Sequence, residues 1–228
     1  MIPVVLLPGM NCSADLWSEC VAGDVLYPEL TSTSIDGQVD SLLDRLPERF
    51  VLGGLSLGGI VAMALAARAP DRVRGLVLAA TNAKAPTDLQ RRGWADWIRR
   101  LDAGETARDL QRSILPALLM PTSGETRPDL LERTLAMGDA TGEATLRNQL
   151  VMQGTRIDLR SRLGRICSPT LVVSGLRDPI CPPSFHAELV EAIPDAKLMT
   201  LDTSHLVPME QPAAFGRLLR TWLRHLEI

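Results

Sequence analysis

The sequence predicts an α/β protein: a doubly wound, mostly parallel sheet of about six strands with a helical segment inserted after the fourth. Three observations carry this reading. Mainly apolar runs at 2–7, 50–53, 72–79 and 169–174 have the composition of buried strands, the first of them apolar without a break. Helical spacing alternates with them, the pattern of parallel strands joined by crossover helices. Between residues 82 and 168 no strand-like run occurs, so the alternation stops there and later resumes.

Taken in order, residues 2–7 (IPVVLL) form the first strand, closed by Pro8-Gly9. Asn11 or Ser13 caps a short helix running through Trp17 to Cys20. Residues 24–27 form a short strand. Val39, Leu42, Leu43 and Leu46 are spaced as one helical face over 35–46, and Pro47 stops it. Residues 50–53 form a strand and 57–69 a helix. This uncharged 50–67 stretch has the length of a membrane segment, but its four glycines and Ser56 fit a buried strand followed by a buried helix. Residues 72–79 give a further strand. After residue 168 come a strand at 169–174, a helix at 184–192, a strand at 197–201 and a closing helix at 213–226, striped by Leu218, Leu219, Trp222 and Leu226. The intervening 82–168 holds short helical patterns such as Trp94, Trp97, Ile98 and Leu101, broken by Pro116, Pro121 and Pro128. We expect 1–81 with 169–228 to form the core. Residues 82–168 are expected to cap the carboxyl edge of the sheet, where open α/β folds bind ligands.

Composition narrows the function. The 228 residues carry a net charge of −3, with 46% hydrophobic and 22% charged side chains, the balance of an ordinary soluble domain with no nucleic-acid footprint. Residues 84–165 hold 14 basic against 11 acidic side chains, and the rest 10 against 16. The four cysteines (Cys12, Cys20, Cys167, Cys181) lack metal spacing and read as free thiols in a reducing compartment. The N-terminal run lacks a basic flank and is broken by Pro3 and Pro8, so it does not read as a signal peptide. A cytoplasmic protein without metal or cofactor, binding neither nucleic acid nor membrane, is the expectation.

The chemistry centres on Gly54-Leu55-Ser56-Leu57-Gly58 between the 50–53 strand and the 57–69 helix. In a G-x-S-x-G turn the serine is lifted clear of the sheet edge. Three fixed positions match by chance in roughly one chain of this length in ten, so context must decide. A serine nucleophile needs a base and a group that orients the base. Of three histidines, His225 lies on the closing helix and His186 in a helical pattern with a packing or solvated role. His205 follows the 197–201 strand on the carboxyl edge and is the expected base. Asp178 follows the 169–174 strand in the loop Gly175-Leu176-Arg177-Asp178 and is the expected acid, set against an ordinary turn aspartate before Pro179. Asp202 is too near His205 in sequence to orient it and reads as a turn cap. Oxyanion donors are expected from the N–H of Leu57 and, after the first strand, of Met10. Trp17 either lines the pocket or packs; Met120, Met137, Met152 and Leu206 are pocket walls or core.

Together these residues resemble the α/β-hydrolase superfamily. The resemblance rests on Leu7-Pro8-Gly9-Met10, Gly54–Gly59, the 169–178 segment with Pro182, and Ser204-His205 followed by Glu210-Gln211-Pro212, about two thirds of the chain. It implies Ser56 as nucleophile, His205 as base, Asp178 as acid, and Met10 and Leu57 as oxyanion donors. Two features depart from the family: Pro8-Gly9 stands where His-Gly is common, and the chain begins on what would be the third strand. Small capped carboxylesterases and methyl-ester esterases acting on carrier-protein-bound acyl chains look most similar. A small acyl substrate is implied, with a carrier-bound chain as an alternative. Arg91, Arg92, Arg99, Arg100, Arg108 and Arg112 would then meet an acidic carrier or anionic substrate, or simply form a solvated face. The same triad also serves thioesterases, carbon–carbon bond hydrolases and cofactor-free perhydrolases, and the fold serves ligand receptors.

Overall fold

The computed structural model describes residues 2–21 and 23–226; positions 1, 22, 227 and 228 of the expected core lie outside them. Six strands form one sheet: β1 (Val4–Leu7), β2 (Val25–Leu26), β3 (Phe50–Leu55), β4 (Val73–Ala79), β5 (Thr170–Gly175) and β6 (Ala196–Leu201). Their order is β2-β1-β3-β4-β5-β6, and every neighbouring pair is parallel. The expected fold is therefore present, with a sheet parallel throughout rather than mostly so. Each residue of β3 and β5 is buried, as their mainly apolar runs require. The edge strand β6 is half-buried or exposed along its length.

Helices cover both faces. α1 (Ile35–Arg45) starts on a Ser34 side-chain cap and ends at Leu46, one residue before Pro47. α2 (Leu57–Arg68) follows β3 directly and is apolar nearly all round because it lies inside the core cluster with Val5, Leu52 and Leu76. Between β4 and β5 the chain runs through α3 (Asp88–Asp102), α4 (Ala107–Ser113), α5 (Leu115–Leu118), α6 (Ser123–Thr126) and α7 (Asp129–Gly154). The Thr87 and Thr106 capping boxes start α3 and α4. α7 is kinked at Gly142, whose φ of 71° interrupts the helix. Pro128 stands before α7 and Pro116 in the first turn of α5, so these prolines open helices rather than merely break them. Leu101, Ala107, Leu110, Leu146 and Leu150 give this segment an apolar core of its own. α8 (Pro183–Ala192), α9 (Val207–Glu210) and α10 (Pro212–Arg224) complete the chain. Among the described residues no helix is long and apolar enough to cross a membrane.

Trp17 is fully buried against Phe215, with ring centroids 5.7 Å apart, in the cluster beneath the opposite face of the sheet. It packs. Ser13, not Asn11, caps the short 3-10 turn Ala14–Trp17 that carries it.

Candidate active site

Ser56 sits between β3 and α2 with φ 54° and ψ −115°, a conformation costly for any residue with a side chain. Its backbone is held there from both sides. Its N–H donates to the Ala79 carbonyl (3.0 Å), and its carbonyl accepts from Thr81 Oγ1 (2.8 Å) and the Ile60 N–H (3.0 Å). The flanking glycines permit the turn. A Cβ on Gly58 would stand 2.5 Å from the Leu7 and Pro8 carbonyl oxygens, and one on Gly54 2.3 Å from Gly58 itself. The G-x-S-x-G spacing is thus a requirement of backbone-on-backbone approach. Leu57 begins α2, where backbone N–H groups have no intrahelical acceptor.

Asp178 and His205 come from turns after neighbouring strands, β5 and β6. They are 3% and 4% exposed, and His205 Nδ1 lies 2.7 Å from Asp178 Oδ2. The other carboxylate oxygen, Oδ1, accepts the N–H groups of Ile180 (2.8 Å) and Cys181 (2.9 Å). Asp178 is therefore both the turn residue and the histidine partner; the two readings of it are compatible. The loops touch closely enough that a Cβ on Gly175 would meet the Ser204 carbonyl oxygen at 2.1 Å. Asp202 instead pairs with Arg177 at the surface (2.7 Å).

Further contacts tie the His205 loop to the helical segment. The His205 and Leu206 N–H groups both donate to the Leu118 carbonyl (3.1 Å each), and Ser204 Oγ donates to the Ala117 carbonyl (3.0 Å). Glu210 joins the same two pieces, accepting from Ser204 N–H (2.6 Å) through Oε2 and from Met120 N–H (2.7 Å) through Oε1.

Ser56, His205 and Met10 line one cavity of about 280 Å³, walled by Trp94, Trp97 and Leu118 from the helical segment. Leu206 both lines it and packs in the core, so its two readings are compatible. Met137 and Met152 lie instead in the two sheet-face clusters, and Met120 serves through its backbone. The loop bearing Met10 is braced by Asn11, a buried residue at φ 57°. Asn11 N–H donates to Gln149 Oε1 (2.8 Å), and its Nδ2 donates to the Ala107 carbonyl (2.8 Å) and Gln111 Oε1 (2.9 Å). No sequence pattern signals this brace, because its partners lie about 100 to 140 residues away.

Two other titratable groups flank the pair. His186 is fully buried, its Nε2 accepts the Thr81 N–H (3.1 Å), and burial draws its pKa down to about 4. It packs, while His225 caps the exposed end of α10. Burial, reinforced by the Asp178 charge, pushes the Cys181 thiol up to about 12. Asp178, Cys181 and His205 bring potential ligand atoms within 4.8 Å of one another. Hydrogen bonds already engage all three: both carboxylate oxygens are taken by His205 and the turn amides, and Cys181 Sγ accepts from Asn82 Nδ2. The cysteines are unpaired; Cys12, Cys20 and Cys181 are buried and Cys167 exposed.

Most arginines singled out on the helical segment are matched locally. Arg99 pairs with Asp96, Arg100 with Glu105, Arg112 with Asp109, and Arg108 with both Glu132 and Asp139. Arg91 donates to the Gly154 carbonyl.

A family model described as the α/β-hydrolase fold matches residues 2–212. A pimeloyl-[acyl-carrier protein] methyl ester esterase of Nitrosomonas europaea is 32% identical over 174 residues, covering 73% of this chain and 68% of that protein. 3-Oxoadipate enol-lactonase 2 of Acinetobacter baylyi is 30% identical over 182 residues, covering 78% and 65%. Among solved structures, a thermophilic esterase from Thermogutta terrifontis superposes with a TM-score of 0.85 at 24% identity, covering all of this chain and 91% of that one. An enol-lactonase from Burkholderia xenovorans gives 0.85 at 24%, covering 98% and 91%.

Proposed function

The chain belongs to the α/β-hydrolase fold family, and from that premise we propose that it is a serine carboxylesterase working through an acyl-enzyme, with Ser56 as nucleophile, His205 as base and Asp178 as the acid that orients it. That it is an ester-cleaving hydrolase accords with its esterase and enol-lactonase relatives. The observation that carries the residue roles is the buried Asp178–His205 pair at 2.7 Å, beside the same cavity that Ser56 lines.

With Nδ1–H donated to Asp178, the neutral imidazole presents Nε2 as its free acceptor. His205 Nε2 takes the Ser56 proton as Oγ attacks the ester carbonyl, and the resulting imidazolium is stabilised by the ionised Asp178. The oxyanion settles on the N–H groups of Leu57 and Met10, each worth about 2.7–4 kcal/mol of transition-state stabilisation. His205 then protonates the leaving alcohol. Water, activated by the same nitrogen, releases the acid and frees Ser56. Residues 82–168 act as a cap over the core formed by 1–81 and 169–228, and their contacts with the His205 loop couple cap position to the base. The free thiols accord with a cytoplasmic setting.

Two features bear on substrate. The modest cavity favours a small acyl group. A carrier-bound methyl ester is the second reading, favoured by relatives that are pimeloyl-[acyl-carrier protein] methyl ester esterases; the local pairing of the cap arginines leaves it less support. A fluorophosphonate probe should label Ser56, and Ser56→Ala should abolish both labelling and hydrolysis of short p-nitrophenyl esters. Full activity in Ser56→Ala would reject the mechanism. Comparing short esters with acyl thioesters and with a carrier-bound methyl ester would rank the substrate readings.

A further inference from the structure

Among the described residues, one charge in the cavity has no counterpart. Arg156, just beyond α7, is 6% exposed and lines the space shared by Ser56 and His205. Its guanidinium donates to three neutral oxygens: Gln153 Oε1 (3.1 Å) from Nη1, and Asn82 Oδ1 (3.1 Å) and the Lys84 carbonyl (2.8 Å) from Nη2. Of its five donors, Nε–H has no partner and one Nη1 proton is left over. Among the described residues no carboxylate pairs with it, whereas the less buried Arg100, Arg108, Arg127 and Arg133 each face at least one. The Trp94 ring lies 5.9 Å from its guanidinium carbon. Burial, helped by the like charge of Arg91, draws its pKa down to about 10, so the group remains cationic at neutral pH.

A buried cation without an anion is costly unless something supplies the missing charge. The neutral oxygens fix the guanidinium in place, and Asn82 is itself held by donating to Cys181 Sγ (3.6 Å). What is held is a pre-oriented positive group on the wall of a small cavity.

We propose that Arg156 is an anion subsite within the reaction cavity, and that the ester this protein cleaves carries a second, free carboxylate. This rests on the esterase reading and specifies its substrate class: short monoesters of dicarboxylic acids, or esters and lactones with a carboxylate a few atoms from the scissile carbonyl. The purely architectural alternative makes Arg156 a strut tying the end of α7 to Asn82 and Lys84. A strut would affect charged and uncharged substrates alike.

The test compares monomethyl glutarate with dimethyl glutarate, and O-acetylglycolate with methyl acetate, so that the carboxylate lies on the acyl side in one pair and the alcohol side in the other. The wild type should favour the anionic member of at least one pair by about 10- to 100-fold in kcat/KM, and that pair locates the carboxylate. Arg156→Gln should erase the preference, chiefly through KM, while leaving the neutral esters within about 2-fold. In parallel, calorimetry should detect glutarate binding to Ser56→Ala and its loss in the Arg156→Gln double variant. No wild-type preference, or an equal loss on charged and neutral esters in Arg156→Gln, overturns the proposal. If no ester is cleaved and Ser56 is not labelled, yet glutarate binding requires Arg156, the catalytic reading falls and the anion subsite stands. Labelled Ser56 with Arg156-independent glutarate binding gives the reverse result. Should Arg156→Gln not fold, the wild-type preference decides alone.

Discussion

Replacing Asp178 by asparagine tests the mechanism through hydrogen-bond direction rather than through loss of a side chain. Asp178 Oδ1 accepts two backbone N–H groups, from Ile180 and Cys181, while Oδ2 faces His205 Nδ1. In Asp178→Asn the amide oxygen must stay on those two donors, which turns the NH2 toward His205. Nδ1 then has to accept, the ring proton moves to Nε2, and the base can no longer take a proton from Ser56. Flipping the amide would restore the productive tautomer but leave the buried Cys181 N–H and the part-buried Ile180 N–H facing an NH2. At about 1–3 kcal/mol for each unsatisfied donor, the flip costs about 2–6 kcal/mol. The competent orientation is thereby reduced to a fraction between about 1 in 30 and 1 in 20,000. We predict that kcat on p-nitrophenyl butyrate falls by about 10²–10⁴ while the protein stays folded. Active-site-normalised kinetics at pH 7 to 8, with a thermal melt as the folding control, measure this directly. A loss of less than about tenfold would refute the assigned tautomer and the role of Asp178 with it.

Ser56→Gly should be more stable than Ser56→Ala by about 1–3 kcal/mol in urea unfolding, because only glycine relieves the φ of 54°. Glu210→Gln places an NH2 against either the Ser204 or the Met120 N–H; a loss of about 1–3 kcal/mol and a lower kcat should follow from loosening the His205 loop. His186 is drawn down to about 4 from an unperturbed 6.5, so below pH 6.5 the unfolded chain binds the proton that the native state refuses. Its contribution is complete above pH 6.5, and about 3 kcal/mol of stability should be lost as pH falls from 6.5 to 4. Urea titrations at pH 7, 5 and 4 should show a shallower acid decline in His186→Gln, which keeps an acceptor for the Thr81 N–H.

Much of the fold could be read because its signals are local. The runs at 2–7, 50–53, 72–79 and 169–174 match β1, β3, β4 and β5 to within about two residues, since a parallel strand covered on both faces is mainly apolar. The serine turn was legible for a similar reason: Gly54 and Gly58 are dictated by contacts with backbone, and no other residue fits. Asp178 and His205 were legible because topology delivers strand ends to one edge. The helical segment was harder to read. Its helices amphipathically cover one another, so Met137 and Met152 turn into packed clusters while Trp94 and Trp97 face the cavity, and spacing alone does not separate those fates.

By itself the sequence determined which residues arrive at the carboxyl edge of a parallel sheet, because periodicity, glycine placement and chain order are properties of the chain. Only the tertiary structure decided what those residues meet. The pairing of Glu210 with Met120, the brace of Asn11 on Gln149 and the unpaired charge of Arg156 all join positions 70 or more apart. Burial and hydrogen-bond partners are set by such closures of the chain, and a side chain's charge, tautomer and access to substrate are set by burial and partners.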